Sequence, residues 1–386
     1  MTSASAKGHF QDVFGSVTDP RVARTRRHNL LDILFIALCA MISGAEDFVT
    51  IAEYGRIKLA WFKKLLELPN GIPSHDTFRR VFALLDPQQL EKCLVSWSDQ
   101  LRIRTDIKGE EVVALDGKML RHSFDNALGV GAIHIVSAWA SCARLCLGQV
   151  KTAEKSNEIT AVPILLKMLD IENCIVTADA LNCQKAIAEQ ITQQSGVFVL
   201  ALKDNHRNLF NDVKLFVEHA AKNKYAELTT RTVTTGDKGH GRIETRTYRL
   251  IDLPDGIAWE DEKKAWPGLK SIGIAECTRQ TGGKTTTETR YYLTAIPAGS
   301  PNSARRFAKA SRYHWGIENS LHWRLDVCFD EDNCRVHKDY GPQNLALMRH
   351  IALNLLGRDT TTKAGIKARR LKAGWSEPYL EHLLIN

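Results

Sequence analysis

The sequence predicts an α/β protein: a mixed sheet with helices packed on it, preceded by a helical region and interrupted by a β-rich insertion. Three observations predict it. Up to about residue 104, apolar residues recur at helical spacing; from Val112, short β-branched runs alternate with helical patterns; between about 208 and 297, Thr-rich alternating segments take over. The expected division is therefore 1–104, helical, and 105–386, the α/β part, carrying the insertion at about 208–297 and closing in helices. With 386 residues, 44% of them hydrophobic, the chain has length for two or three domains and a sizeable core. The longest apolar run, Leu30 to Ile42, carries Asp32 and falls well short of the roughly 20 residues of a membrane span, so a buried core helix is expected. The first residues, MTSASAKGHFQDVF, have no hydrophobic signal core, and the expectation is a cytoplasmic protein with no membrane partner. The nine cysteines are scattered, odd in number and never spaced Cys-x-x-Cys, which argues against a disulfide framework or a zinc ribbon. A net charge of +8 suits a polyanionic partner.

Taken in order, the basic cluster Arg21, Arg24, Arg26, Arg27 precedes the buried run and is either a phosphate contact or a solvated helix entrance. Val49 to Leu68 predicts a helix that ends in the breaker Pro69-Asn70-Gly71-Ile72-Pro73. Ser74 then N-caps a second helix whose core face is Phe78, Val81, Phe82 and Leu85, with Arg79 and Arg80 pointing away. Helix, turn and basic helix resemble a helix-turn-helix with a long turn. Val112 to Leu115 is a short strand ended by Asp116-Gly117-Lys118; Gly131 to Trp139 and Leu145 to Val150 follow as antiparallel partners. Asn157 to Leu169 predicts a helix in which Pro163 forces a kink or a later start. Asn173 to Asp179 is again a strand ending in an acid; Ala180 to Gln190 is a helix, and Val197 to Leu202 a strand, so the crossovers are parallel. A helix over Leu209 to Ala221 opens the insertion, whose strands are 228–233, 242–250, 269–279 and 285–294, with Gly236 to Arg242 as an exposed basic loop. Its Lys238 and Arg242 either approach a phosphate backbone or belong to a hairpin loop with incidental charge.

In Ser311 to Asp332, helical spacing places His314, Glu318 and His322 on one face beside the stripe Ile317, Leu321, Leu325. A carboxylate held against such a wall needs a cation, a donor network or a metal; a surface glutamate flanked by satisfied histidines gives the same pattern. The helix Asn344 to Leu356 is expected beneath it, and the basic tail contains Lys363, Lys367, Arg369, Arg370 and Lys372. Asp116, Asp179 and Glu318 thus stand where a ribonuclease H-like sheet brings three acids together: first strand, a later parallel strand and a C-terminal helix. Two-metal phosphodiester chemistry needs that geometry, and hard oxygen ligands suit Mg²⁺. Asp125 and Glu331 are nearby acids expected to stand apart from the site.

The stretches DILFIALCAMISGAEDF, GIPSHDTFRRVF, VVALDGKMLR, KSNEITAVPILL, IVTADALNCQKAIA, ALKDN, HGRIETR and RYHWGIENSLHWRLDVCFDED closely resemble the ISAs-type (H-repeat-associated) insertion-sequence DDE transposases over nearly the full length. The resemblance implies a ribonuclease H-like fold and a catalytic, metal-binding triad of Asp116, Asp179 and Glu318. It also implies two Mg²⁺ ions, with Mn²⁺ as a substitute, and cleavage and joining of double-stranded DNA at element ends and target. An assembly of several copies on DNA is expected. The Tyr-x2-Arg-x3-Glu-x6-Lys signature of related transposases does not register: Ser311, His314 and Leu325 occupy its Tyr, Arg and Lys positions. Candidate DNA contacts are Arg24, Arg26, Arg27, Arg79, Arg80, Lys238, Arg242, His314, His322 and Arg324. A catalytically inactive DNA-binding relic and a structure-specific nuclease on the same fold are the alternatives.

Overall fold

A computed structural model of the chain describes residues 3–103, 110–124, 131–152, 158–239, 241–254 and 257–385. The N-terminal region holds α1 (Ser3–Phe14), α2 (Leu30–Ile42), α3 (Phe48–Ile57), α4 (Leu59–Phe62), α5 (His75–Leu84) and α6 (Pro87–Ile103). Asn29 caps α2 by accepting from the Leu31 amide, and every residue of α2 except Leu31 is buried. Asp47 and Thr50 form a reciprocal capping box at α3, which satisfies two of the amides a helix start leaves unpaired. The single helix expected over 49–68 breaks at Lys58, where the Trp61 and Phe62 rings turn inward to the core. Ser74 caps α5, and Phe78, Val81 and Phe82 are its buried face, as the spacing predicts.

The sheet has nine strands in the order β3-β2-β1-β4-β5-β9-β8-β7-β6 among the described residues. Its first part comprises β1 (Val112–Met119), β2 (His134–Ala140), β3 (Leu145–Lys151), α7 (Glu158–Met168), β4 (Ile175–Ala178), α8 (Lys185–Gln193) and β5 (Val197–Leu202). β1, β2 and β3 pair antiparallel, while β1, β4 and β5 pair parallel. This is the ribonuclease H-like arrangement. One expectation fails: Asp116-Gly117 does not end the strand, because β1 runs on through Lys118 to Met119 in register with β2. α7 carries Pro163 within its span and starts at Glu158, so no later start is needed.

After α9 (Arg207–Lys222) come β6 (Thr230–Gly239), β7 (Arg242–Asp252), α10 (Ile257–Ala265), β8 (Ser271–Thr281) and β9 (Lys284–Thr294). These strands extend the same sheet, because β9 pairs antiparallel with β5. The exposed loop expected over 236–242 is also corrected: Lys238 pairs with Ile243 and Gly239 with Arg242, so the segment is strand almost to the turn. β-branched Thr residues, with Thr234 facing Thr247 and Thr278 facing Thr287, favour that extended pairing.

α11 (Ser303–His314) crosses one face of the sheet. Phe307 packs so tightly there that a Cβ on Gly273 would lie 2.6 Å from its ring, so only glycine permits the approach. A five-residue π-helical segment, Glu318–His322, leads into α12 (Trp323–Phe329). α13 (Gly341–Arg358) is buried from Gly341 to Leu356 and packs on α2, α5, α6 and β3 as well as on α12. α14 (Ile366–Trp375) and α15 (Glu377–Ile385) close the chain. Arg370 of the basic tail is buried and donates to the carbonyls of Met41, Ala45 and Cys328. Arg369 donates to the carbonyls of Leu356 and Thr362. These two arginines hold the C-terminal helices onto the core. The nine cysteines are all free, and no described helix is long and apolar enough to cross a membrane.

Candidate active site

Parallel pairing of β1 with β4 matches Leu115 to Ala178, so the next residue on each path is an acid: Asp116 on β1 and Asp179 at the end of β4. Asp179 is held by a local turn in which its Oδ1 accepts from the Asn182 amide at 3.1 Å and from Asn182 Nδ2 at 3.0 Å. The π-helical segment brings the third acid. Glu318 Oε2 is 3.2 Å from His322 Nδ1, and the same nitrogen is 3.6 Å from Asp116 Oδ2. One ligand atom from each of Asp116, Glu318 and His322 lies within 4.8 Å of the others. Asp179 is not in that tight cluster, yet its charge is felt by Asp116. The Asp116 carboxyl is pushed up to about 7, first by burial, then by the negative charges of Asp179 and Glu158, and further by Glu318.

The face expected to run through His314, Glu318 and His322 is interrupted. α11 ends at His314, Trp315 is a turn residue, and the wider π turn begins at Glu318. Such bulges interrupt a helix where geometry is needed that a regular turn does not give. Ile317, Leu321 and Leu325 are buried as predicted, but the Glu318 side chain is 58% exposed and not walled in. His314 Nδ1 lies 3.1 Å from Thr177 Oγ1 of β4 and so fastens α11 to the sheet. His322 is buried, and its Nε2 has no hydrogen-bond partner among the described residues. Burial holds both histidines below their ordinary pKa, so neither is an exposed cation of the kind a phosphate contact requires.

Sequence reasoning missed two neighbours of the Asp116 and Asp179 carboxylates. Glu158, the first residue of α7, lies over β1: a Cβ on Gly117 would sit 2.0 Å from its Oε1. Asn182, fully buried, donates through Nδ2 to Glu158 Oε2 at 3.0 Å as well as to Asp179. The available signal was Gly117 itself: Asp-Gly reads as a turn, but glycine inside a strand marks a close approach.

Lys118, two residues beyond Asp116, is the hub of a further network. Its Nζ bonds Asp326, lies 3.0 Å from Glu331 Oε2 and 3.7 Å from Asp332 Oδ1. Glu331, expected to stand apart, is buried and also 3.8 Å from Arg349; Asp125 lies outside the described residues. Lys118 therefore ties β1 to α12 and to the turn that follows it.

A cavity of about 390 Å³ on the β7–β9 face is lined by Arg242, Arg246, Arg279, Arg290, Arg312, Trp315 and Asn319, together with the acids Asp237, Glu244, Glu276 and Glu288; Arg242, Arg246 and Arg279 pair with Glu244, and Arg290 with Glu288. Arg290 stacks over Trp315 at 5.0 Å. Of the other candidate DNA contacts, Lys238 is exposed on β6, Arg24 and Arg27 are exposed, and Arg324 is partly buried. Arg26 donates to the carbonyls of Arg21 and Asp19, whereas Arg79 and Arg80 are exposed on α5, both bonded to Asp76.

The family model described as "Transposase DDE domain" matches residues 107–355, and the DDE_Tnp_1-associated model matches residues 11–98. The chain is 38% identical over 372 residues, 95% of each chain, to "H repeat-associated putative transposase YhhI" of Escherichia coli K12. It is 37% identical over 377 residues, 97% of this chain and 93% of the relative, to "Putative transposase YncI" of Escherichia coli O157:H7. A matched DDE domain on a ribonuclease H-like sheet, together with full-length likeness to H-repeat-associated relatives, places the chain in the H-repeat-associated group of insertion-sequence DDE transposases.

Proposed function

We propose that the chain cleaves and joins DNA at the ends of an insertion sequence, with Asp116, Asp179 and Glu318 as its metal-binding catalytic acids. The observation that carries this reading is the emergence of Asp116 and Asp179 from paired parallel strands, with Glu318 brought to Asp116 through His322. The donors fit divalent metal: burial, and after it the charges of Asp179, Glu158 and Glu318, push Asp116 toward neutrality, a situation a divalent cation relieves, and carboxylate oxygens are the ligands Mg²⁺ and Mn²⁺ prefer. When bound, a pair of such ions makes a water or 3′-hydroxyl a better nucleophile and neutralises the leaving oxygen. The protein's own part is positional. Backbone pairing sets Asp116 on β1 beside the end of β4, where the Asn182 turn holds Asp179, and the π turn carries Glu318 to His322, whose Nδ1 lies 3.2 Å from Glu318 and 3.6 Å from Asp116.

Double-stranded DNA is the substrate in this reading. The cavity on the β7–β9 face, whose lining includes Arg312, Trp315 and Asn319, the last next to Glu318 in the chain, is the surface on which a DNA backbone is placed in this reading. Arg24, Arg27, Arg79, Arg80, Lys238 and Arg242 supply the outer positive surface; several copies assemble on the two ends, and the work is done in the cytoplasm. Incubating the protein with DNA carrying the element ends and Mg²⁺, and mapping nicks at nucleotide resolution, tests it. Metal-dependent nicks at the ends followed by joined products are expected. Hydrolysis without joining would make it a nuclease, and tight binding without nicks in Mg²⁺ or Mn²⁺ a binding-only relic.

A further inference from the structure

We infer that Asn182 and Glu158 are positioning residues for Asp179, a relay that fixes which of its oxygens faces the metal. The inference rests on the metal-site reading above. Asn182 is fully buried and spends its amide group on two acids at once: Nδ2 donates to Asp179 Oδ1 at 3.0 Å and to Glu158 Oε2 at 3.0 Å. The Asn182 backbone amide adds a second bond to Asp179 Oδ1 at 3.1 Å. Asp179 Oδ1 is thus occupied, and Oδ2 carries no hydrogen bond among the described residues, so a bound cation finds one oxygen presented in one orientation. Glu158 matters because the Asn182 Oδ1 has no partner among the described residues, so the two Nδ2 bonds, one to Asp179 and one to Glu158, are the hydrogen bonds that orient the amide. Gly117 makes the arrangement sterically feasible, since a Cβ there would collide with Glu158 Oε1 at 2.0 Å. Outer partners that orient metal ligands typically contribute about 10- to 100-fold in metal affinity or activity.

The test measures Mn²⁺ binding to the full chain by the loss of the free-ion paramagnetic resonance signal, alongside nicking, DNA affinity and melting temperature. Asn182→Ala and Glu158→Ala are expected to weaken Mn²⁺ binding at least about tenfold and to slow nicking in parallel, with DNA affinity unchanged. Glu158→Gln keeps an oxygen that accepts from Asn182, so its Mn²⁺ affinity is expected to stay within about threefold of wild type, well short of the loss given by a missing partner. Gly117→Ala, which removes no functional group and only pushes Glu158 aside, is expected to match Glu158→Ala and covers the case in which Asn182→Ala fails to fold. Asp179→Asn separates the two ideas. If it leaves Mn²⁺ affinity unchanged, the metal-site reading fails. If it weakens Mn²⁺ but the folded Asn182 and Gly117 variants do not, the relay alone is overturned. A loss in Glu158→Gln as large as that in Asp179→Asn also overturns it, by making Glu158 a ligand in its own right.

Discussion

Replacing Lys118 by Met removes a cation that serves Asp326, Glu331 and Asp332 together. The Lys118 and Glu331 side chains are only 12% and 2% exposed, so water does not screen the loss. Breaking one side of a buried ion pair costs about 3–5 kcal/mol. Arg349, 3.8 Å from Glu331, still offsets part of the charge, which puts the expected loss near the lower end, about 3 kcal/mol. The pH dependence carries a sign. In the wild type, burial raises the Glu331 pKa, but Lys118 and Arg349 outweigh it and hold the group below its ordinary value. Its contribution is therefore present above the carboxylate pKa of the unfolded chain and fades as pH falls through the folded value. Without Lys118, burial dominates and the folded pKa rises, so acidification protonates Glu331 and relieves the variant. Urea unfolding at pH 5 and pH 8 measures both effects: the deficit of Lys118→Met should be largest at pH 8 and shrink at pH 5, and Glu331→Gln added to it should recover part of the loss. A deficit under about 1 kcal/mol, within the range of an exposed surface pair, or one that is the same at both pH values, would refute the reasoning.

Asp116→Asn, Asp179→Asn and Glu318→Gln should each slow nicking of element-end DNA by orders of magnitude, at about 1.4 kcal/mol of lost transition-state stabilisation per factor of ten, while binding isotherms barely change. In metal-free buffer, Asp116 makes stability fall as pH rises from about 4 toward its folded value of about 7; Mg²⁺ should therefore raise the melting temperature more at pH 8 than at pH 5. Log affinity for DNA should decline linearly with log salt by about 0.9 per phosphate neutralised, and Arg79→Gln with Arg80→Gln should flatten that slope if α5 touches the backbone. Arg370→Met should leave the salt slope untouched and destabilise the fold instead, since each buried carbonyl left without a donor costs about 1–3 kcal/mol.

The strand and helix sequence of the α/β part was legible because β-branched runs and 3.6-residue periodicity are local signals, and both aspartates were found at strand positions facing the same end of the sheet. What escaped depends on contacts between distant segments. Glu158 and Glu331 look like ordinary surface acids until α7 and the turn after α12 carry them against β1. Arg369 and Arg370 read only as part of a basic tail until the carbonyls of Met41, Ala45 and Leu356 come within reach. The π turn at Glu318 was invisible for a different reason: its residues are those of a regular amphipathic helix, and nothing in their local spacing marks the wider turn.

The antiparallel pairing of β9 onto β5 also bears on solubility. β5, Val-Phe-Val-Leu-Ala-Leu, is an apolar segment with no charge, and its pairing with β9 keeps it from being the sheet's margin. The margin on that side is β6, Thr-Arg-Thr-Val-Thr-Thr-Gly-Asp-Lys-Gly, polar and mostly exposed, with charged side chains that discourage another chain from docking edge to edge. A shortened chain lacking residues 208–297 would expose the bare N–H and C=O groups of β5. Such a deletion is expected to form aggregates by strand addition even though every triad residue remains, and a β5 carrying a lysine in place of Ala201 would be the first repair to try.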